Sequence, residues 1–194
     1  MTQPPPGKVV IVSGPSGAGK TTVVKRLLET CDLPLLLSVS ATTRSPRPGE
    51  VHGVDYWFLS DEEFQKRRNR GEFLESFEVY GRGCWYGTLE EAVASSLAEG
   101  KWVVLEIDVQ GMQSVVKRFP EAISLFVRPP SLEELEVRLR GRGTETEETI
   151  QRRLSVARHE WQFRDQYRYD VVNETIEQTV SNICDLLKSE AIHA

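Results

Sequence analysis

Apolar runs and helical apolar stripes take turns along this chain. Val9–Val12, Leu35–Val39, Trp102–Ile107 and Ile123–Val127 are apolar except at Ser38, Glu106 and Ser124 and do not alternate, as strands buried on both faces of a parallel sheet do not. Asp170–Val172 is a fifth, shorter run. Helices are predicted between them. Thr21–Thr30 is one, and Ser60 with Glu63 makes a capping box for another that ends near Gly71. Thr88 with Glu91 predicts a helix that ends near Gly100. Ser131 with Glu134 opens a helix with Leu132, Leu135 and Leu139 on one face and Gly141 at its end. Thr144 with Glu147 predicts a longer one striped by Ile150, Leu154, Ala157 and Trp161. Thr175 with Gln178 opens the last, lined by Ile176, Val180, Ile183 and Leu187. This alternation predicts a three-layer α/β/α fold around a central parallel sheet. From about Ser40 to Thr88 it breaks down. Short aromatic segments, Tyr56–Leu59 and Phe73–Val79, sit there among Gly and Pro turns, and predict an inserted antiparallel subdomain.

Composition narrows the class. The 194 residues suit one domain with insertions, and 39% hydrophobic content suffices for a core. A net charge of −5 argues against nucleic-acid binding. No apolar run approaches the roughly 20 residues of a membrane span. The start Met-Thr-Gln-Pro-Pro-Pro-Gly reads as a short disordered lead-in, without the charged and apolar regions of a signal peptide. Cys31, Cys84 and Cys184 are odd in number and far apart, which predicts a cytoplasmic protein with neither disulfide nor zinc. His52, His159 and His193 are isolated, so a histidine metal site or triad is not expected.

The chemistry begins directly after the first strand. Gly14, Pro15, Ser16, Gly17, Ala18, Gly19, Lys20 and Thr21 fit the phosphate-loop pattern, with a strand before and a helix after. Glycines let backbone N–H groups turn inward on phosphate oxygens, and the helix N-terminus adds positive potential. Lys20 is expected at the β- and γ-phosphates, and the Thr21 hydroxyl at Mg²⁺. Without a ligand the same stretch would be an ordinary Gly-rich turn. Asp108 follows the central run Val103–Leu105, where ligands bind in open α/β sheets, and is expected to help organise the metal. Arg138, Arg140, Arg142, Arg152, Arg153 and Arg158 crowd the stretch after Ser131. They read as solvated surface paired with nearby glutamates, or as guanidinium groups for transferring phosphoryl oxygens.

The chain resembles guanylate kinases over about Lys8 to Leu187. The matching segments are Ser13–Thr21, Ser38–Arg47, Gly49–Tyr56, Phe73–Glu75, Tyr86–Thr88, Glu106–Gly111 and Gly141–Glu148. The resemblance implies a phosphate-loop NTPase fold with a GMP-binding insertion and a helical lid. It divides the chain into core 8–39, GMP-binding insertion 40–96, core 97–130, lid 131–157 and core 158–194. It implies γ-phosphoryl transfer from ATP to GMP, with dGMP as a second acceptor and Mg²⁺ as cofactor. Its implied partners are these small molecules, with no nucleic acid or membrane, and monomer and homodimer both stay open. Arg44, Arg47, Tyr56 and Tyr86 are similar to the family's GMP phosphate clamp. Ser40, Glu75, Thr88 and Glu106 are similar to its guanine readers. A carboxylate such as Glu75 can accept guanine N1–H and N2–H₂ together, where adenine presents an acceptor. Lys20, Arg44, Arg138, Arg142, Arg153 and Asp108 are the implied catalytic set. The ATP loop with Thr22, and Asn173 by the adenine, complete the implied donor site.

Some residues keep a plainer reading at this point: Thr88 as a helix N-cap, Tyr56 as core, Glu75 as a solvated strand residue. The stretch Val79–Tyr86 is about two residues longer than the common family pattern, and Trp85 replaces a usual Tyr. Thr88 and Glu106 stand where some members carry Ser and Asp, which changes reach more than chemistry. Two other functions fit less well. A phosphopeptide-binding module of guanylate-kinase type would not need the full loop with Lys20. A kinase for another acceptor would not need Glu75, Ser40 and Thr88.

Overall fold

The structure is a computed structural model that describes residues 7–79, 83–141 and 146–192. In chain order the strands are β1 (Val9–Ser13), β2 (Leu35–Leu37), β3 (Ala41–Thr42), β4 (Trp57–Phe58), β5 (Phe73–Val79), β6 (Cys84–Leu89), β7 (Trp102–Glu106), β8 (Ile123–Arg128) and β9 (Tyr169–Val172). The helices are α1 (Lys20–Thr30), α2 (Asp61–Asn69), α3 (Glu90–Ala98), α4 (Val109–Arg118), α5 (Leu132–Arg140), α6 (Glu147–Trp161) and α7 (Ile176–Ile192).

Five strands make the parallel sheet, in the order β2-β7-β1-β8-β9. Val10 to Ser13 run in register with Ile123 to Phe126, and Leu125 to Arg128 with Tyr169 to Val172. Leu35 to Leu37 pair with Trp102 to Val104. The apolar runs of β1, β7 and β8 are buried along their length, as expected of interior strands. β2 lies at the sheet's edge, and Leu36 there is 44% exposed. A buried strand was expected at that run. An edge strand with one flank open needs less apolar cover.

The described residues cluster into two compact units. One holds 7–9, 34–105 and 110–122, and the other 10–33, 106–109 and 123–192. In the first, a four-stranded sheet runs β4-β3-β6-β5. β6 is antiparallel to β3 and β5, whereas β3 and β4 are parallel. Ala41, Phe64 and Phe73 form its small core, with Phe64 stacked on Phe73 at 4.5 Å between ring centroids. In the second, Leu135 and Leu139 of α5 pack on Ile150, Leu154 and Ala157 of α6.

Three predicted helix starts hold: Ser60, Ser131 and Thr175 each accept a backbone N–H from the third residue on. Two are corrected. Thr88 lies in β6, and α3 opens after Leu89 without a side-chain cap. α6 is capped by Thr146, which accepts from Thr149 N; Thr144 lies outside the described residues. α4 was not predicted. Its buried residues Val109, Met112 and Val115 recur every third position around Gly111, too short a stripe to stand out. The α6 stripe ends on buried Glu160 instead of Trp161.

The expectation of no disulfide is also corrected. Cys31, at the end of α1, is bonded to Cys184 of α7, 153 residues away, with Cα atoms 5.8 Å apart. The pair meets because α1 packs on α7, which no local spacing encodes. Among the described residues no helix is long and apolar enough to cross a membrane.

Candidate active site

The phosphate loop leaves β1 at Ser13 and enters α1 at Lys20. Gly14 has φ +134°, and a Cβ there would come 2.0 Å from Val127 O, so no side chain fits. Gly19 caps α1 in the left-handed region at φ +87°, which leaves the first helical N–H groups of α1 uncovered by any cap side chain. Those are the donors an anion requires. Lys20 Nζ donates to Gly14 O at 2.6 Å and Pro15 O at 3.0 Å. The ammonium is thereby folded over its own loop. The exposed hydroxyl of Thr21 donates to Glu106 Oε1 at 2.7 Å. Thr22 is exposed on the next position of α1.

Two of the expected arginines meet this loop or its support. Arg153 Nη2 donates to Ser16 Oγ at 2.7 Å. Arg138 donates through Nε to Glu134 Oε1 at 3.0 Å and through Nη2 to Asn173 O at 3.0 Å. Arg142 lies outside the described residues. Asn173 is 1% exposed, with both ends of its amide engaged: Nδ2 donates to Ala18 O at 2.7 Å, and Oδ1 accepts from Thr179 Oγ1 at 3.0 Å. Its place in the structure is a brace between α7 and the loop. Gly19 is the glycine that lets the brace approach, since a Cβ there would stand 2.7 Å from Asn173 Nδ2.

The first unit gathers seven of the eight expected GMP contacts: Ser40, Arg44, Arg47, Tyr56, Glu75, Tyr86 and Thr88. Glu106, the eighth, belongs to the second unit, on Thr21. Thr88 donates to Glu75 Oε1 at 2.6 Å, directly across the β5–β6 pair. Arg44 Nε donates to Tyr86 Oη at 3.0 Å, and its guanidinium carbon lies 5.3 Å from the Tyr56 ring centroid. The two tyrosine rings meet edge to face at 5.8 Å. Tyr86 and Thr88 are two apart on β6, so both project from one face of the sheet, roughly 7 Å apart along the strand. Arg47 is exposed, and the Ser40 carbonyl accepts from Trp57 N at 2.9 Å.

Sequence reasoning passed over three groups. Glu50 forms a two-pronged pair with Arg44, at 2.9 Å on each side. The Arg44 guanidinium holds the Glu50 carboxyl below the usual carboxylate range against some burial, helped by a bond from Arg47 N. The same pairing raises Arg44. Glu160, 8% exposed, has its pKa pushed up to about 7, chiefly by burial; Lys20 draws it down and Asp108 pushes it up. Tyr167 is likewise raised by burial. Glu160 Oε2 is buried without a hydrogen-bond partner among the described residues, and the buried hydroxyls of Tyr167 and Ser13 interact with each other. Only the helical spacing of Glu160 with Ile150, Leu154 and Ala157 hinted at this in the sequence, and apolar pattern reading skips a carboxylate.

Mg²⁺ commonly takes one or two protein oxygens and fills its shell with phosphate and water. Thr21, Glu106 on it, and Asp108 two residues on supply oxygens of that kind. Among the described residues no group of three or more His, Cys, Asp or Glu could hold a metal by itself. The donor set thus fits a metal brought in on a nucleotide.

Fold and loop together define a phosphate-loop nucleotide-binding α/β protein. The guanylate kinase family model matches residues 6–190. The guanylate kinase of Rhodopirellula baltica is 54% identical over 183 residues, 94% of this chain and 88% of that protein. That of Trichormus variabilis is 47% identical over 180 residues, 93% of this chain and 89% of the relative. The crystal structure of guanylate kinase from Anaplasma phagocytophilum superposes with a TM-score of 0.78 at 34% identity, covering 95% of this chain and 86% of that one. The chain belongs to the guanylate kinase family, and it is an enzyme of that kind.

Proposed function

We propose that this enzyme transfers the γ-phosphoryl group of ATP to GMP, giving ADP and GDP, with Mg²⁺ bound at Thr21, Glu106 and Asp108. The observation that carries the acceptor is the face of β6. Glu75, held by Thr88, and the Arg44–Tyr86 pair share it, one suited to a base and the other to a phosphate. Tyr86 Oη accepts from Arg44 Nε, so its own O–H would be left to donate to a ligand. Arg44 and Arg47 would balance the charge of a phosphate dianion, and Tyr56 and Tyr86 would donate to it. Ser40, Thr88 and Glu75 would read the guanine edge.

On the donor side, the N–H groups at the start of α1 would cradle the ATP phosphates. Lys20 would leave Gly14 O and Pro15 O for the γ-phosphoryl oxygens as ATP displaces it. Arg138, Arg142 and Arg153 would stabilise charge spreading over the transferring group, and Asn173 would keep Ala18 in place beside the adenine. Bound Mg²⁺ would neutralise the β- and γ-oxygens. Transfer needs both phosphates in line with water kept out, so the lid should close before chemistry.

The test is ADP formation with GMP, AMP, CMP, UMP and dTMP as acceptors, with and without excess EDTA. GMP alone should support rapid turnover, and EDTA should stop it. Undiminished turnover in EDTA would overturn the metal role, and turnover no faster with GMP than with AMP would overturn the acceptor.

A further inference from the structure

We propose that Glu50 is the positioning residue of the phosphate clamp, fixing Arg44 by its carboxylate and Arg47 by its backbone so that both face the acceptor's phosphate monoester. This rests on reading the first unit as the GMP site. Glu50 Oε1 and Oε2 take Arg44 Nη2 and Nη1 at 2.9 Å each. Oε2 also accepts Arg47 N at 2.7 Å, and Glu50 N donates back to Arg47 O at 3.0 Å. One carboxylate therefore ties together the two arginines expected on the phosphate.

The donor count shows why this matters. A guanidinium has five N–H groups in a rigid fork. In Arg44 they serve Tyr86 Oη, Ser45 O and both Glu50 oxygens, which among the described residues leaves one Nη2–H for a ligand. The ring of Tyr56 lies beside the same group. Arg44 thus presents a single aimed donor and its charge, in place of a mobile side chain that must be ordered on each binding event. Glu50 also sets the charge. Arg44 and Arg47 less Glu50 leave one net positive charge, which favours a dianionic acceptor while holding the α-phosphate of the product, singly charged once it bridges, less firmly.

The experiment compares wild type with Glu50→Gln and Glu50→Ala in steady-state kinetics. KM for GMP should rise about tenfold or more, with kcat within about threefold and KM for ATP unchanged. Guanosine, which lacks the phosphate, should inhibit all three proteins equally as a competitor of GMP. In an Arg44→Ala background, Glu50→Gln should add less than about threefold, since its main partner is gone. An unchanged KM for GMP would make the pair a surface bridge only. A lowered KM would make Glu50 a competitor for the phosphate. Equal weakening of guanosine, or loss of folding in both variants, would reduce Glu50 to a structural strut. Each of these overturns the proposal. A wild type without GMP-dependent ADP release would overturn the GMP reading itself.

Discussion

Glu160 is a carboxylic acid buried at the end of an otherwise apolar stripe, so replacing it by Gln should stabilise the protein, increasingly so as pH rises. The side chain sits at the end of the buried stripe of α6, and its pKa is lifted from 4.5 to about 7. Below the unfolded value both states are protonated and the group contributes nothing. Between 4.5 and about 7 the unfolded chain ionises while the folded one keeps its proton, so stability falls with rising pH. Above about 7 the folded state carries an unwelcome buried charge and the loss is complete. At about 1.4 kcal/mol per pH unit, the full loss is about 3 kcal/mol. Most of it develops between pH 5 and 8. Gln has nearly the same shape and does not titrate, so its packing effects are the same at both pH values. For a chain of this size that predicts Tm of Glu160→Gln gaining on wild type by roughly 5–10 °C from pH 5 to pH 8. Thermal unfolding of both proteins across that range, without nucleotide, measures it. A difference that stays flat with pH, or shrinks, would refute the reasoning. The pull from Lys20 offers a check of cause: in a Lys20→Ala background the wild-type acid should lose its stabilising cation, and the gain from Gln should grow.

Four further outcomes follow from the geometry. Lys20→Ala should fold normally and lose about 10²–10³ in kcat, read by ADP release at saturating nucleotides. Thr88→Val, which keeps shape but removes the donor to Glu75, should raise KM for GMP on the order of tenfold and leave KM for ATP alone. Glu75→Gln should lower kcat/KM for GMP by more than tenfold and hurt IMP less, because IMP lacks the 2-amino group the lost acceptor would face. Reduction of Cys31–Cys184 should lower Tm on the order of 10 °C, since a closure of 153 residues lies near the top of the range for chain-entropy stabilisation; Cys184→Ser should reproduce it and make the thiol reagent ineffective.

The sheet was legible because its interior strands cannot disguise themselves. Val9–Val12, Trp102–Leu105 and Ile123–Val127 are buried along their length and apolar at every position but Ser124, so the run declares itself. Caps were legible where a Ser or Thr stood at a helix start with nothing else to do. Thr88 failed that test. Its hydroxyl was claimed by Glu75 across the strand pair, a contact set by register between residues thirteen apart. The sequence pattern put the cap of α6 at Thr144, and the structure puts it at Thr146. The disulfide was illegible for a like reason. A pair 153 residues apart is encoded in the packing of α1 on α7, each of which looks in sequence like any amphipathic helix.

The motifs single out cations for the candidate site and pass over their counterions. Lys20, Arg44, Arg138, Arg142 and Arg153 stand out because phosphate chemistry demands positive groups at recognisable spacings. The motifs give no role to Glu50 and assign Glu106 to the base; Glu106 also accepts from the Thr21 hydroxyl. The asymmetry is physical. A cation waiting for phosphate must be held ready without being neutralised for good, and carboxylates nearby do the holding. Glu50 holds Arg44, Glu134 holds Arg138, and backbone carbonyls of its own loop hold Lys20. Such partners are chosen by geometry after folding, from glutamates that in sequence are indistinguishable from solvated surface. The chain carries 29 acidic residues, and only the fold says which few of them pair with the cations expected on phosphate and which merely keep the surface charged.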